Sequence, residues 1–182
     1  MEEKMRTCVA FLRAINVGGH TVKMDGLRQL FVDFGLSQVE TFLASGNVIF
    51  QTSLQDLPDL EKTLTQKVSQ ALGFETVVFL RTLAEVAALT KYPAFLQTEV
   101  DQATAYNLAF LAAEPHEDGV RRLTALASEV DRFQVHERQV YWLGQKKQSE
   151  STFSNAMLEK VLGQSSTMRG MSTLRKLVEK YS

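Results

Sequence analysis

Residues 10–14 read AFLRA, and residues 109–113 read AFLAA. Each is a short apolar run that breaks at turn residues, the pattern of a mostly buried strand. The first run stops at Asn16-Val17-Gly18-Gly19. Met24, Leu27, Leu30, Phe31 and Phe34 then recur at helical spacing, and Gly35 follows as a helix terminator. VETFLASGNVIFQ (39–51) reads as two strands joined at Ser45-Gly46-Asn47, because Gly and Asn tolerate the positive φ of a tight hairpin. Asp56 caps a helix with Pro58 in its first turn; Leu57, Leu60, Leu64, Val68 and Ala71 line one face, and Gly73 ends it. FETVVFLR (74–81) is a further strand, so the order is βαββαβ.

The second run opens the same order again. Pro115 sits where a first helical turn accepts proline, and Val120, Leu123, Leu126 and Ala127 form a helical face. VDRFQVHERQVYWL (130–143) reads as a hairpin, and STFSNAMLEKVLG (151–163) as a capped helix ended by Gly163. Ser165 to Arg169 predicts a short last strand, and a terminal helix follows with Ser172 as its cap. Val39, Phe42 and Val48 find counterparts in Val130, Phe133 and Val140. The expectation is an α+β fold of two ferredoxin-like βαββαβ units in tandem, each an antiparallel sheet with helices on one face. Residues 1–90 form the first unit, including a short helix opened by the capping box Thr82-Leu83-Ala84-Glu85 and stopped near Tyr92 by Pro93. Residues 91–103 are the connection and 104–182 the second unit. The helix-free face of each sheet is left to be covered or used.

Of 182 residues, 45% are hydrophobic and 23% charged, which is ordinary for a globular chain. No apolar run approaches the ~20 residues that cross a bilayer, so no membrane partner is expected. The start is acidic before its apolar run and does not read as a signal peptide. The single cysteine, Cys8, cannot form an internal disulfide, and a cytoplasmic location fits best. Net charge is −1, which excludes a globally basic nucleic-acid binder. Residues 1–129 hold 11 Lys/Arg against 16 Asp/Glu, and residues 130–182 hold 9 against 5, giving −5 and +4. That asymmetry reads either as scatter over solvated faces or as a basic patch for an anionic partner.

Chemistry is sparse. The glycine turn lacks both the G-x-G-x-x-G dinucleotide fingerprint and the Walker A pattern. What remains is a glycine turn before a helix, with Arg13, Asn16, His20 and Lys23 around it, where backbone N–H groups could hold an anion. Asp25 opposes this, since a carboxylate in the first turn already answers the positive end of the dipole. The alternative is a connection that only reverses the chain. Ser45-Gly46-Asn47 offers a hydroxyl and an amide at a hairpin tip, or is simply a turn. His20, His116 and His136 include no i, i+4 pair and there is no Cys-x-x-Cys, so neither metal nor cofactor is expected. Cys8 reads as a buried small hydrophobe. Phe11 and Phe50 lie on candidate central strands, but the aromatic-rich pattern of an RNA recognition motif is missing, and core packing accounts for both. In the last third, Ser154, Asn155, Thr167, Arg169, Arg175 and Lys176 gather near two helix starts.

The stretch LRAINVGGHTVKMDGLRQLFVDFGLSQVETFLASGNVIF (12–50) resembles the hallmark of DUF1697, a bacterial family of unknown function, and FSNAMLEKVLGQSSTMRGMSTLRKL (153–177) resembles its second signature. The resemblance spans roughly residues 6 to 180 and implies a two-part α+β fold of ferredoxin-like units with no established activity. It maps polar signature positions onto Arg13, Asn16, Gly18, Gly19, Lys23, Ser45, Gly46, Asn47, Ser154, Asn155, Thr167, Arg169 and Lys176. Ala14 stands where the family has glycine, and Gly170-Met171-Ser172 replaces its asparagine-tryptophan-asparagine, which places any site there in doubt. A turn needs glycine but does not need Arg13, Asn16 and Lys23 together. A shared anionic ligand explains that combination, as does a buried polar network that fixes the loop.

Three classes of function follow. The first is a binding protein for a phosphate-bearing small molecule or nucleotide, built on Arg13, Asn16, Gly18, Gly19 and Lys23, with Ser45, Asn47, Ser154, Arg169 and Lys176 as further ligand-binding candidates. The second is an accessory nucleic-acid binder using the basic C-terminal third. The third is an enzyme acting on a phosphorylated substrate, with Ser45 or His20 moving a proton. It ranks last because no paired carboxylates, triad or metal cluster is visible, and no catalytic residue is assigned.

Overall fold

A computed structural model describes residues 4–13, 15 and 19–182 of the chain. It divides into two compact units, residues 1–86 with 181–182, and residues 87–180.

In the first unit, β1 (Arg6–Leu12), α1 (Met24–Asp33), β2 (Ser37–Thr41), β3 (Asn47–Thr52), α2 (Leu57–Leu72) and β4 (Val78–Thr82) follow in order. The sheet runs β2-β3-β1-β4, all antiparallel, with Cys8 opposite Phe50 and Leu12 opposite Val78. This is the ferredoxin-like arrangement that the element order predicts. Cys8, Ala10 and Leu12 point to the helix side, where Leu27 and Phe31 of α1 and Leu60, Leu64 and Val68 of α2 close the core. Val9, Phe11, Ile49 and Phe79, on the opposite face by strand alternation, are buried as well. Phe50 lies in the helix-side core, its ring 5.8 Å from that of Phe31, and Phe11 is fully buried, so neither ring is open to stack a base. The edge strand β2 is irregular: its register shifts between Ser37 and Glu40, and Gln38 adopts φ 50°.

The predicted caps hold α2 and open the next helix. Asp56 Oδ1 accepts from Asp59 N at 2.9 Å, and Gly73 ends α2 at φ 77°. Thr82 and Glu85 close a reciprocal capping box at 2.6 and 3.1 Å ahead of α3 (Leu83–Lys91).

The second unit repeats the plan. The stretch read as a plain connection holds a further helix, α4 (Gln97–Gln102), with Glu99 reaching back to accept from Leu96 N at 2.9 Å. Then come β5 (Ala105–Leu111), α5 (Glu117–Ala125), β6 (Asp131–His136), β7 (Gln139–Gly144), α6 (Asn155–Leu162), β8 (Ser166–Gly170) and α7 (Met171–Tyr181). Its sheet runs β6-β7-β5-β8, again antiparallel throughout. Ala109, Leu111, Leu123, Trp142, Leu158 and Leu162 form the helix-side core. A buried carboxylate sits at its edge: Asp131 accepts from Trp142 Nε1 at 2.8 Å and from the Ser151 hydroxyl. Two expected helix starts move. α5 begins after Pro115, with His116 at its N-cap, and α7 begins at Met171 directly from β8, which places Ser172 inside the first turn. Among the described residues, no helix is long and apolar enough to cross a membrane.

Cys8 is fully buried at the center of the first sheet. Burial, with a smaller push from Glu85 and a smaller opposing pull from Arg6, raises its thiol to about 11. The native thiol therefore stays protonated as pH rises past the ordinary thiol range, whereas the unfolded chain ionizes there. Its contribution to stability is complete below that range and is lost as pH rises through about 11. At pH 8, Cys8 should resist iodoacetamide in the native protein and react on unfolding in urea. Native-state alkylation at the rate of an exposed thiol would contradict this placement.

Candidate functional site

The first group of candidates collects at one end of the first sheet. β1 ends at Leu12, whose N–H donates to Gly46 O at 2.9 Å; Arg13 N then donates to Val77 O at 2.9 Å. The Thr76 hydroxyl donates to Arg13 O at 2.5 Å, and Ser69 Oγ in turn bonds Thr76. Arg13, the Ser45-Gly46-Asn47 turn and the chain entering β4 are thereby held together. Arg13 is half-buried and partnered, as an arginine at the end of an inward strand must be. Asn16 and Gly18 lie outside the described residues.

Gly19 adopts φ 86°, and among the described residues nothing lies within 4 Å of where a Cβ would stand, so this position needs glycine for its backbone rather than for space. His20 stacks on the Phe74 ring at 4.1 Å. Lys23 is the exposed N-cap of α1; its backbone is extended and its side chain accepts nothing. The first bond inside α1 runs from Leu27 N to Lys23 O at 3.0 Å. The N–H groups of Met24, Asp25 and Gly26 precede it and point out of the helix start. α2 and α6 differ, since Asp56 and Ser154 supply acceptors at theirs. Asp25 lies in the first turn of α1, exposed.

Ser45 and Asn47 are occupied with the hairpin. Asn47, fully buried, donates from Nδ2 to Phe42 O and to Ser45 Oγ, both at 2.8 Å. Gly46 stands at φ 76°, and a Cβ there would come within 3.2 Å of Leu12 Cβ.

The C-terminal candidates lie in the second unit. Ser154 caps α6, accepting from Met157 N at 3.2 Å. Asn155 ties α6 to β8 through the Ser166 hydroxyl at 2.6 Å and Ser166 O at 3.0 Å, and Glu159 accepts from Ser166 N at 2.8 Å. Arg169 is buried on β8; its Nη1 donates to Thr167 Oγ1 at 2.7 Å and Met168 O at 2.9 Å. That burial pulls its guanidinium down to about 10. Lys176 is exposed on α7.

Pairing register adds a residue that the sequence reading missed. Arg169 stands opposite Leu108, and Arg81 stands opposite Val9, the matching position of the first repeat. Arg81 is only 1% exposed; its Nη1 donates to Leu80 O at 2.8 Å and lies 3.6 Å from Glu61 Oε2. Asn47 and Gln139 are matched in the same way, opposite Phe11 and Phe110, and both are buried. Each sheet thus carries a buried arginine and a buried amide at equivalent points of the face opposite its main helix-side core. Among the described residues, no cluster of three His, Cys, Asp or Glu side chains is arranged to hold a metal ion.

The family model described as "Protein of unknown function (DUF1697)" matches residues 5–141, which include the glycine turn, the Ser45-Gly46-Asn47 hairpin and both buried amides. The chain belongs to the DUF1697 family. The second signature, at 153–177, lies beyond the matched residues. A solved structure titled "The structure of conserved bacterial protein SP0830 from Streptococcus pneumoniae" is similar over 97% of this chain and 98% of that one, with a TM-score of 0.70 and 21% identity. At that identity the likeness is one of fold. No curated protein matches the chain.

If the hairpin residues serve chiefly to fasten β3 against β1, their replacement should cost stability. Gly46→Ala should destabilize by about 1–3 kcal/mol through left-handed strain and contact with Leu12. Asn47→Ala should cost about 1–3 kcal/mol, because Phe42 O and Ser45 Oγ each lose a buried donor. Urea unfolding of both variants measures this; midpoints equal to wild type would leave the hairpin without that role.

Proposed function

We propose that this DUF1697 protein binds a phosphate-bearing small molecule or nucleotide at the end of its first sheet, between the glycine turn and the start of α1. The observation that carries the reading is the helix start itself. α1 begins at a lysine, which offers no acceptor to the N–H groups of the first turn and adds a cation beside them. A phosphate supplies the missing acceptor and neutralizes the cation at once. Gly18 and Gly19 let backbone approach the ligand with no Cβ in the way. Arg13, anchored through its backbone at the same end of the sheet, offers a planar fork that pairs with two phosphate oxygens. The sequence adds Asn16, an amide-bearing residue, to the same candidate set.

Asp25 sets the balance of forces. Its carboxylate occupies the first turn, repels phosphate and partly satisfies the dipole. Binding must therefore rest on the Arg13 and Lys23 cations more than on the helix. Ser45 and Asn47 enter as support, since their side chains hold the hairpin that flanks the turn.

Arg13→Ala and Lys23→Ala should each weaken binding by about 1–3 kcal/mol. Both should leave the fold largely intact, because the backbone bonds of Arg13 do not involve its side chain and Lys23 is exposed. Asp25→Asn should tighten binding. The measurement is a series of thermal melts with inorganic phosphate and a nucleotide panel. At least one member should raise the wild-type melting temperature, and the two alanine variants should lose that shift. No shift for any member, together with alanine variants that melt far below wild type, would make the turn scaffolding.

A further inference from the structure

The first unit has a cavity of about 310 Å³ at the other end of its sheet, where β1 begins. The glycine turn follows β1, so the seven residues of that strand set the two places apart by about 20 Å. Four separate segments build the cavity: Met5 just before β1, the turn from α1 into β2, the end of β3 with the residues after it, and one face of α2. Gly35 makes the room. It reverses the chain at φ 85° and brings no side chain into the space.

The lining divides by chemistry. Leu36, Leu60 and Leu64 form a buried apolar floor. Met5 and Leu54 stand at the mouth, 48% and 52% exposed, two large apolar side chains left to water at one opening. Among the described residues of the lining, Lys67 is the lone charged one. Its ammonium sits 5.3 Å from the center of the Phe34 ring, itself part of the wall, which holds the charge at the cavity. Thr63 lies one helical turn before Lys67 on the same face of α2, and its hydroxyl bonds no described residue.

We propose that this cavity binds a small amphipathic monoanion, a carboxylate with an aromatic or branched apolar body. The volume suits that class: about 150 Å³ of apolar cavity accepts a benzene ring, and this space is about twice that. Covering the floor together with Met5 and Leu54 supplies the apolar part of the affinity. Lys67 and the Thr63 hydroxyl meet the carboxylate, and the described lining brings no acidic side chain to compete for Lys67. A neutral ligand of the same shape gains the first contribution without the second, whereas a cation is repelled.

The test is titration of the full chain with phenylacetate and with 2-phenylethanol, its neutral counterpart, read by ligand-observed NMR. Phenylacetate should bind saturably and about three- to tenfold more tightly than the alcohol, the size of one partly solvated ion pair with a hydrogen bond. Lys67→Met, a change on an exposed helix position, should erase that preference while the alcohol still binds. Thr63→Phe should fill the space and block both. Phenylacetate that fails to saturate, a preference that survives Lys67→Met, or binding that survives Thr63→Phe would each overturn the proposal.

Discussion

Both units depend on a first strand that pairs on both sides. β1 bonds to β3 and β4, and β5 bonds to β7 and β8. A strand in that position exposes neither its backbone groups nor, here, either face. Val9, Ala10, Phe11 and Leu12 are buried without exception, as are Leu108, Ala109, Phe110 and Leu111. These eight residues are all apolar or small, and side-chain volume on one face is limited by the helices packed against it. Alanine points at the helices and phenylalanine away from them in both copies. The shared AFL run is the footprint of that packing requirement.

Polar groups on these buried surfaces carry the opposite cost. A guanidinium removed from water is expensive unless its donors are used, and Arg81 and Arg169 both spend donors on neighboring backbone carbonyls. Glu61 ties Arg81 to α2 and also accepts from Leu80 N, so one carboxylate fixes a helix and an edge strand together. Such groups restrict the ways in which the strands can pair. A register slip of one residue would turn a charged side chain into the helix-side core.

Where local chemistry decides, the sequence is legible. The 3.6-residue spacing of Leu60, Leu64 and Val68, the Asp56 and Ser154 caps, the Thr82–Glu85 box and the left-handed Gly73 and Gly163 all act within a few residues of themselves. α4 escapes that reading because it is short and starts at Leu96, a residue with no capping side chain; Glu99 is its one signal. Pro115 and Ser172 mislead by one or two residues because a strand end or a preceding residue, and not the cap alone, sets each helix start. The candidate site is less legible. Arg13, Lys23 and the hairpin are marked by the resemblance and lie where the chain turns. Asn47 looks like a hairpin-tip amide and proves to be a buried brace. Arg81 ends an apolar run, and only its register against Val9 reveals it as the counterpart of Arg169. The cavity is invisible in sequence, since its lining comes from four separated segments.

The irregular β2 has a consequence for how the molecule behaves in a crowded solution. A straight outer strand offers a row of open donors and acceptors to any extended segment that drifts past, and growth by strand addition begins there. β2 is only five residues long and breaks its own rhythm at Gln38, where the backbone turns left-handed. A visiting strand cannot follow that bend and bond on both sides of it. The same defect that weakens the pairing of β2 with β3 denies other chains a template, so the first unit keeps its rim from seeding aggregates without a proline or a run of lysines to guard it.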